Sequence, residues 1–168
     1  MNGWKDGVDQ ATSRPATSVS EVDLDILEDT LSFYIRAIDI AVSRDLDERL
    51  EGLEVAKGKG KITTLLLVDS HPGIRPSVIA RLIFRDRSAT GRLMEQMEQH
   101  GLLTRRVSSN DNRAQELYIT EKGAALAAKV RTIVPKQSKD FFDFISPEEQ
   151  VQLMAILKRA YRRIAGLS

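Results

Sequence analysis

Asp86-Arg87-Ser88-Ala89-Thr90-Gly91-Arg92-Leu93-Met94-Glu95-Gln96-Met97-Glu98-Gln99, followed by His100-Gly101, is the stretch whose reading decides the fold. Thr90, Leu93, Met94 and Met97 recur at three- and four-residue steps, the spacing of one stripe along a helix, and that stripe faces a core. Asp86 is a natural N-cap and Gly101 a natural residue just past the end, so the start and stop signals agree with the periodicity. The outer face carries Arg87, Ser88, Gly91 and Arg92 early in the helix: two forked cations, a hydroxyl and a residue with no side chain to block close approach. Such a face suits a groove.

Working outward, residues 76–84 carry Val78, Ile79, Leu82 and Ile83 at helical spacing, with Pro76 where a first turn tolerates proline. Two short helices joined by a tight turn around Arg85 read as a helix-turn-helix. Downstream, 102–107 and 115–119 alternate like strands, with Ser108-Ser109-Asn110-Asp111-Asn112 as turn chemistry between them. A hairpin directly after the second helix makes a winged helix. Arg105 and Arg106 at its base and Arg113 near its tip are placed to meet a phosphate backbone or enter a minor groove, and Asp111 stands where it can orient Arg113.

The flanks read as long helices. From about Val22 to Leu50 the apolar residues keep helical spacing, which predicts one long amphipathic helix behind a disordered tail over 1–20 that holds the single tryptophan, Trp4. Residues 51–61 form a glycine- and lysine-rich break. It fails the phosphate-loop pattern twice, because the fifth position after Gly52 is Lys57 and Lys61 is followed by Ile62; a flexible turn with weak anion affinity is the plainer reading. The apolar run 62–70 reads as a helix stopped by His71-Pro72-Gly73. Asp69, Ser70 and His71 are three consecutive side chains at a helix end and cannot form a hydrolytic relay. Thr120-Glu121-Lys122-Gly123 caps an alanine-rich helix over 124–134 that Pro135 is expected to kink or end. Phe141, Phe142 and Phe144 read as packing, and Ser146-Pro147-Glu148-Glu149 is a capping box that opens a last amphipathic helix through Ile164.

Composition narrows the function classes. Between Arg75 and Arg113 there are eight arginines and four acids, an excess of four positive charges in a chain whose net charge is only +1. Arginine's rigid fork suits phosphates and guanine edges. With no cysteine and two histidines, neither a disulfide framework nor a dedicated metal site is expected, no cofactor is called for, and a reducing, cytoplasmic setting fits. No apolar run approaches the roughly 20 residues of a membrane span, so no membrane partner is expected. Nothing beyond the dismissed Asp69–His71 run speaks for an enzyme.

Asp111-Asn112-Arg113 followed by Leu117-Tyr118-Ile119-Thr120-Glu121-Lys122-Gly123 resembles the wing signature of the MarR family of bacterial transcriptional regulators. His71-Pro72-Gly73, Asp86-Arg87-Ser88 with Arg92-Leu93, and Glu98-Gln99-His100-Gly101-Leu102 resemble it in order and spacing. Gly58-Lys59-Gly60-Lys61 stands where that family often has Thr-Pro, Arg75 where a Ser or Thr cap is usual, and Gly91 where Thr is common. The resemblance implies a mainly α fold with a small β-hairpin: a winged helix-turn-helix lobe over 61–120, an N-terminal dimerisation helix over 21–55 and C-terminal dimerisation helices over 121–168, in one domain from 21 to 168. It implies a homodimeric, ligand-responsive repressor on a pseudo-palindromic site in double-stranded DNA. Arg87, Ser88, Ala89, Gly91 and Arg92 would lie at the major groove, and Arg105, Arg106, Asp111 and Arg113 on the wing. A small aromatic or carboxylate effector is implied by the resemblance alone; Tyr34, Arg36 and His71 read as packing, surface pairing and a helix-end histidine, so no residue is assigned to it. The rival reading is a dimeric winged-helix module that holds protein and not DNA, which retention of genomic DNA fragments would separate from the first.

Overall fold

The computed structural model describes residues 16–58, 60–109 and 114–167. The chain divides into two compact units, Met1–Asp39 and Ile40–Ser168. Among the described residues there are six α-helices and one hairpin: α1 (Leu31–Arg49), α2 (Lys61–Ser70), α3 (Pro76–Leu82), α4 (Arg87–Gln99), β1 (Leu103–Val107), β2 (Gln115–Ile119), α5 (Glu121–Phe141) and α6 (Pro147–Ala165).

In the first unit, the helix expected from Val22 begins only at Leu31, after 3-10 turns at Val19–Glu21 and Asp25–Leu27. Asp25 sits at φ 50°, and its amide donates to the Asp23 carboxylate at 2.8 Å. A local side-chain acceptor and a left-handed residue both interrupt the helical ladder there. Thr17 donates from its amide and hydroxyl to Glu21, and these bonds hold the Glu21 carboxyl below its usual range. Of the tail expected over 1–20, residues 1–15 and with them Trp4 lie outside the described residues.

The second unit is organised by α4. The Asp86 carboxylate accepts the Ala89 amide at 2.7 Å as an N-cap. At the other end Gly101, at φ 68°, lets its own amide reach Glu98 O at 2.9 Å and that of Leu102 reach Met97 O at 2.9 Å. This pair of bonds is a Schellman turn, which sends the chain straight into β1. The inner stripe of Thr90, Leu93, Met94 and Met97 is buried as its spacing predicts. It joins Leu65 and Val68 of α2, Ile79 of α3, Leu103 and Leu117 of the hairpin, and Leu126, Ala127 and Val130 of α5 in one core, with Leu50, Val55 and Leu102. Burying such side chains contributes roughly 1.5–3 kcal/mol each.

β1 and β2 pair antiparallel from Leu103↔Ile119 to Val107↔Gln115. The segment before α3 is bonded to this hairpin, Gly73 N to Leu117 O at 2.8 Å and Leu117 N to Ile74 O at 3.1 Å. The helix-turn-helix and its wing are therefore one bonded body. Residues 110–113, and with them the wing residues Asp111 and Arg113 expected from the sequence, lie outside the described residues.

α5 corrects the sequence reading. Of the kink or end expected at Pro135, the end is not met: the helix runs through Pro135 to Phe141. Proline deprives Arg131 of one helical bond, yet the turns beyond it are tied down: Gln137 is buried and donates to Asp45 at 2.9 Å, and Arg49 pairs with Asp140 at 2.8 Å, which holds the Asp140 carboxyl below its usual range. α6 opens with the expected capping box, Ser146 and Glu149 exchanging bonds. Val151, Met154, Ile156, Leu157 and Ile164 along it are 49 to 72% exposed.

Candidate nucleic-acid interface

On α4, Arg87, Ser88 and Arg92 are exposed, while Ala89 and Gly91 are half-buried between them. Arg92 Nη1 donates to Ser88 Oγ at 2.9 Å, one helical turn apart, so the hydroxyl steers the guanidinium along the helix face. Neither Arg87 nor Arg92 is in an ion pair among the described residues. Both forks keep donors for an outside acceptor.

One flank of this face is a cleft of about 630 Å³ between α4 and the hairpin, lined by Arg75 and Ser77 at the start of α3, Arg87, Thr90 and Gly91 of α4, and Gln115 of β2. Arg75 occupies the N-cap position of α3; its guanidinium has no acceptor with which to cap the helix, and the residue lines the cleft. Sequence reasoning does not single out Arg75, Ser77 and Gln115 as a group, because only folding brings the start of one helix beside the root of a strand 40 residues later.

Gly91 has a meaning that packing does not supply. A Cβ built there meets nothing within 4 Å, so alanine would fit, although glycine costs about 1 kcal/mol of helix propensity. Gly91→Ala is accordingly expected to raise unfolding stability by up to about 1 kcal/mol in a urea titration, while weakening whatever approaches this face closely. A gain in stability with no loss of binding would separate Gly91 from the interface.

The hairpin arginines divide. Arg105 is half-buried, and its Nε and Nη2 reach Glu98 Oε2 at 2.8 and 2.6 Å; its fork ties β1 to the last turn of α4. Arg106 is exposed and lies 4.5 Å over the Tyr118 ring, a cation–π contact that holds it along the hairpin while leaving donors outward. Tyr118 donates its hydroxyl to Glu116 at 2.8 Å. Bonds from Ser108 and Tyr118 hold the Glu116 carboxyl below its usual range, and the bond to Glu116 pushes the Tyr118 phenol up.

No relay forms at the end of α2. Asp69 pairs with Arg131 of α5 at 2.6 Å, whereas Ser70 Oγ bonds Leu66 O at 2.7 Å and His71 Nδ1 at 2.8 Å. The carboxylate is engaged away from the imidazole, so the three residues serve the helix end and α5. Among the described residues no group of three or more potential ligands gathers at a metal-binding distance.

A helix-turn-helix with a bonded hairpin and a basic, close-approach face on its second helix is the architecture of a winged-helix regulator of transcription. The MarR family model matches residues 60–114. A Thauera aromatica protein assigned as the transcriptional regulatory protein for the hcr operon is 30% identical over 133 residues, covering 79% of this chain and 80% of that one. The chain belongs to the MarR family, whose members are transcriptional regulators and not enzymes. Among solved structures, the transcriptional repressor CouR bound to a 23-mer DNA duplex superposes with a TM-score of 0.75 at 22% identity, covering 84% of this chain and 99% of that one. A Listeria monocytogenes MarR family regulator complexed with 26-mer DNA superposes with a TM-score of 0.73 at 21% identity, covering 82% and 90%. These two likenesses bear on the fold.

Proposed function

We propose that this chain is a homodimeric, sequence-specific regulator that lays α4 in the major groove of double-stranded DNA and represses by occupying a pseudo-palindromic site. The observation that carries the reading is the outer face of α4: Arg87 and Arg92 without acidic partners, Ser88 orienting Arg92, and an open floor at Gly91. Arginine forks in that position match guanine edges and phosphates. Ala89 completes the face; Arg106 is the hairpin cation that remains outward, and Arg105 acts by holding β1 to α4. Asp111 and Arg113 are assigned to the wing contact from the sequence.

The apolar stripe on α6 supports the dimer, since a contiguous exposed face of this kind marks a partner surface. The apolar side chains Leu31, Ile35 and Ile38 of α1, 75, 53 and 49% exposed, offer a second such surface in the first unit. Two-fold pairing would set the reading helices about 34–36 Å apart, one turn of duplex. The likeness to the hcr-operon protein supports regulation, and CouR, a repressor bound to DNA, carries the same fold. Release by a small aromatic or carboxylate effector belongs to the same proposal on family membership alone, with no residue assigned to it. No helix among the described residues is long and apolar enough to cross a membrane, and a DNA-bound regulator belongs in the cytoplasm.

Retention of random genomic fragments on the full-length protein, followed by sequencing, tests the reading directly. One enriched motif with two-fold symmetry is expected, and its affinity should fall with salt by about 0.9 logarithmic units per tenfold salt for each phosphate contacted. Salt-insensitive or motif-free retention would overturn the proposal, and a dimer that retains no DNA would point instead to a protein-holding module.

A further inference from the structure

The flank of α4 away from the hairpin holds a second basic cleft, and its cations Lys57, Lys61 and Arg85 have no role in the interface assigned above. Its volume is about 220 Å³, and Lys57, Lys61, Arg85 and Arg92 line it with Ala89 and Gln96. Among the described residues, no acid contributes to its wall. None of these four cations is in an ion pair among the described residues. Lys61 donates to the Glu54 carbonyl at 3.2 Å and Arg92 to the Ser88 hydroxyl at 2.9 Å, and both acceptors are neutral. Four like charges converging from a loop, a helix start, a turn and α4 repel one another until an anion enters.

The backbone is shaped to bring them there. Lys57 and Gly60 take φ 54° and 88°, folding the connection between α1 and α2 back on itself. A Cβ at Gly60 would lie 3.1 Å from Ile83 Cδ1 and 3.5 Å from Leu93 Cδ2, so glycine lets the segment press against the α3–α4 turn. At Gly58 a Cβ would meet the Lys61 side chain at 2.5 Å, so the missing side chain is the space through which Lys61 passes.

A helix with its side chains is about 10–12 Å across, and the major groove is about 12 Å wide. A helix seated there has a phosphate ridge on each side. The hairpin flank supplies Arg75 to one ridge, and the cluster around Lys57 faces the other. We propose that Lys57, Lys61 and Arg85 form a second contact for DNA backbone phosphodiesters beside Arg92, which keeps its place at the base edges, so that the reading helix is straddled by cations. The inference rests on the assignment of α4 to the groove and adds three residues to it. The shared chemistry is that of a phosphate oxyanion, and the test separates the DNA backbone from a free phosphate.

The experiment uses the full-length protein and the DNA fragment it retains, comparing Lys57→Gln, Arg85→Lys and the triple change Lys57→Gln/Lys61→Gln/Arg85→Gln with wild type across a salt series. Removing all three charges is expected to reduce the slope of log affinity against log salt by about 2.7, or 0.9 for each phosphate no longer neutralised, while the ratio of affinities for matched and mismatched sites stays unchanged. The single Lys57→Gln change, at an exposed side chain, should remove about 0.9 by itself, and Arg85→Lys should keep the wild-type slope. Wild-type protein that binds no DNA would defeat the groove assignment itself. Wild-type binding with an unchanged slope in both the triple and the Lys57→Gln variants would overturn only the second phosphate contact. If those variants bind DNA as wild type does, and inorganic phosphate raises the melting temperature of wild type but not of the triple variant, the cleft is a free-anion site and the backbone assignment fails.

Discussion

Gly123→Ala is expected to lower the unfolding free energy by roughly 1–3 kcal/mol, the range for forcing an extra carbon into a packed site. In an ordinary exposed helix the same change would stabilise by about 1 kcal/mol, so the sign is the test. Gly123 is buried in the first turn of α5. A Cβ there would overlap the carbonyl oxygen of Leu102 and stand 2.7 Å from Ile119 Cδ1. The Leu102 carbonyl cannot retreat freely, because it accepts the Thr120 amide at 3.1 Å. Thr120 is itself fixed, its hydroxyl donating to Gly101 O at 2.6 Å and accepting from Gly123 N at 3.0 Å. Lys122 adds bonds to His100 O and Glu54 across the same junction. Urea unfolding should show an earlier midpoint with an unchanged slope; a later midpoint would mean that the α4, hairpin and α5 junction is looser than its bonds indicate.

Arg87→Ala and Arg92→Ala should each weaken binding to the retained DNA motif by roughly 1–3 kcal/mol and relax base preference at one position, as loss of a bidentate base contact does. Arg113→Ala, at the residue that the sequence assigns to the wing, should instead weaken binding to most sequences alike. Binding isotherms on matched and singly mismatched duplexes separate the two patterns. Equal affinity in all three variants and wild type would remove these residues from the interface. The effects of Arg92 and Ser88 should not add, because the hydroxyl 2.9 Å from the guanidinium acts through it.

The second helix of the motif is legible residue by residue because its signals are local. An aspartate cap, an apolar stripe and a glycine stop all lie within 16 consecutive positions, and each is in place in the fold. The start of α1 is not legible in the same way, because Leu24, Leu27 and Leu31 satisfy a three-to-four-residue spacing whether the backbone is helical or turns through 3-10 geometry. Only the Asp23–Asp25 bond and the left-handed Asp25 distinguish them. Pro135 misleads for a different reason: a proline costs about 3 kcal/mol inside a helix, and the distant partners Asp45 and Arg49, which sequence spacing does not reveal, keep the following turns helical. The same limit applies at the interface. Strand alternation sets Arg105 and Arg106 on opposite faces, but nothing in the sequence reveals that Arg105 is bound to a glutamate on the preceding helix and that Arg106 lies on a tyrosine ring and faces outward.

On the proposed function, the bond between Arg105 and Glu98, with the Schellman turn beside it, means that the root of the hairpin and α4 would approach a duplex already locked in relative orientation. Their conformational entropy has been surrendered during folding, so little of it is left to oppose complex formation at that joint. Encounter there is closer to rigid docking than to coupled ordering, and sequence discrimination at α4 should show itself chiefly in how slowly the complex dissociates.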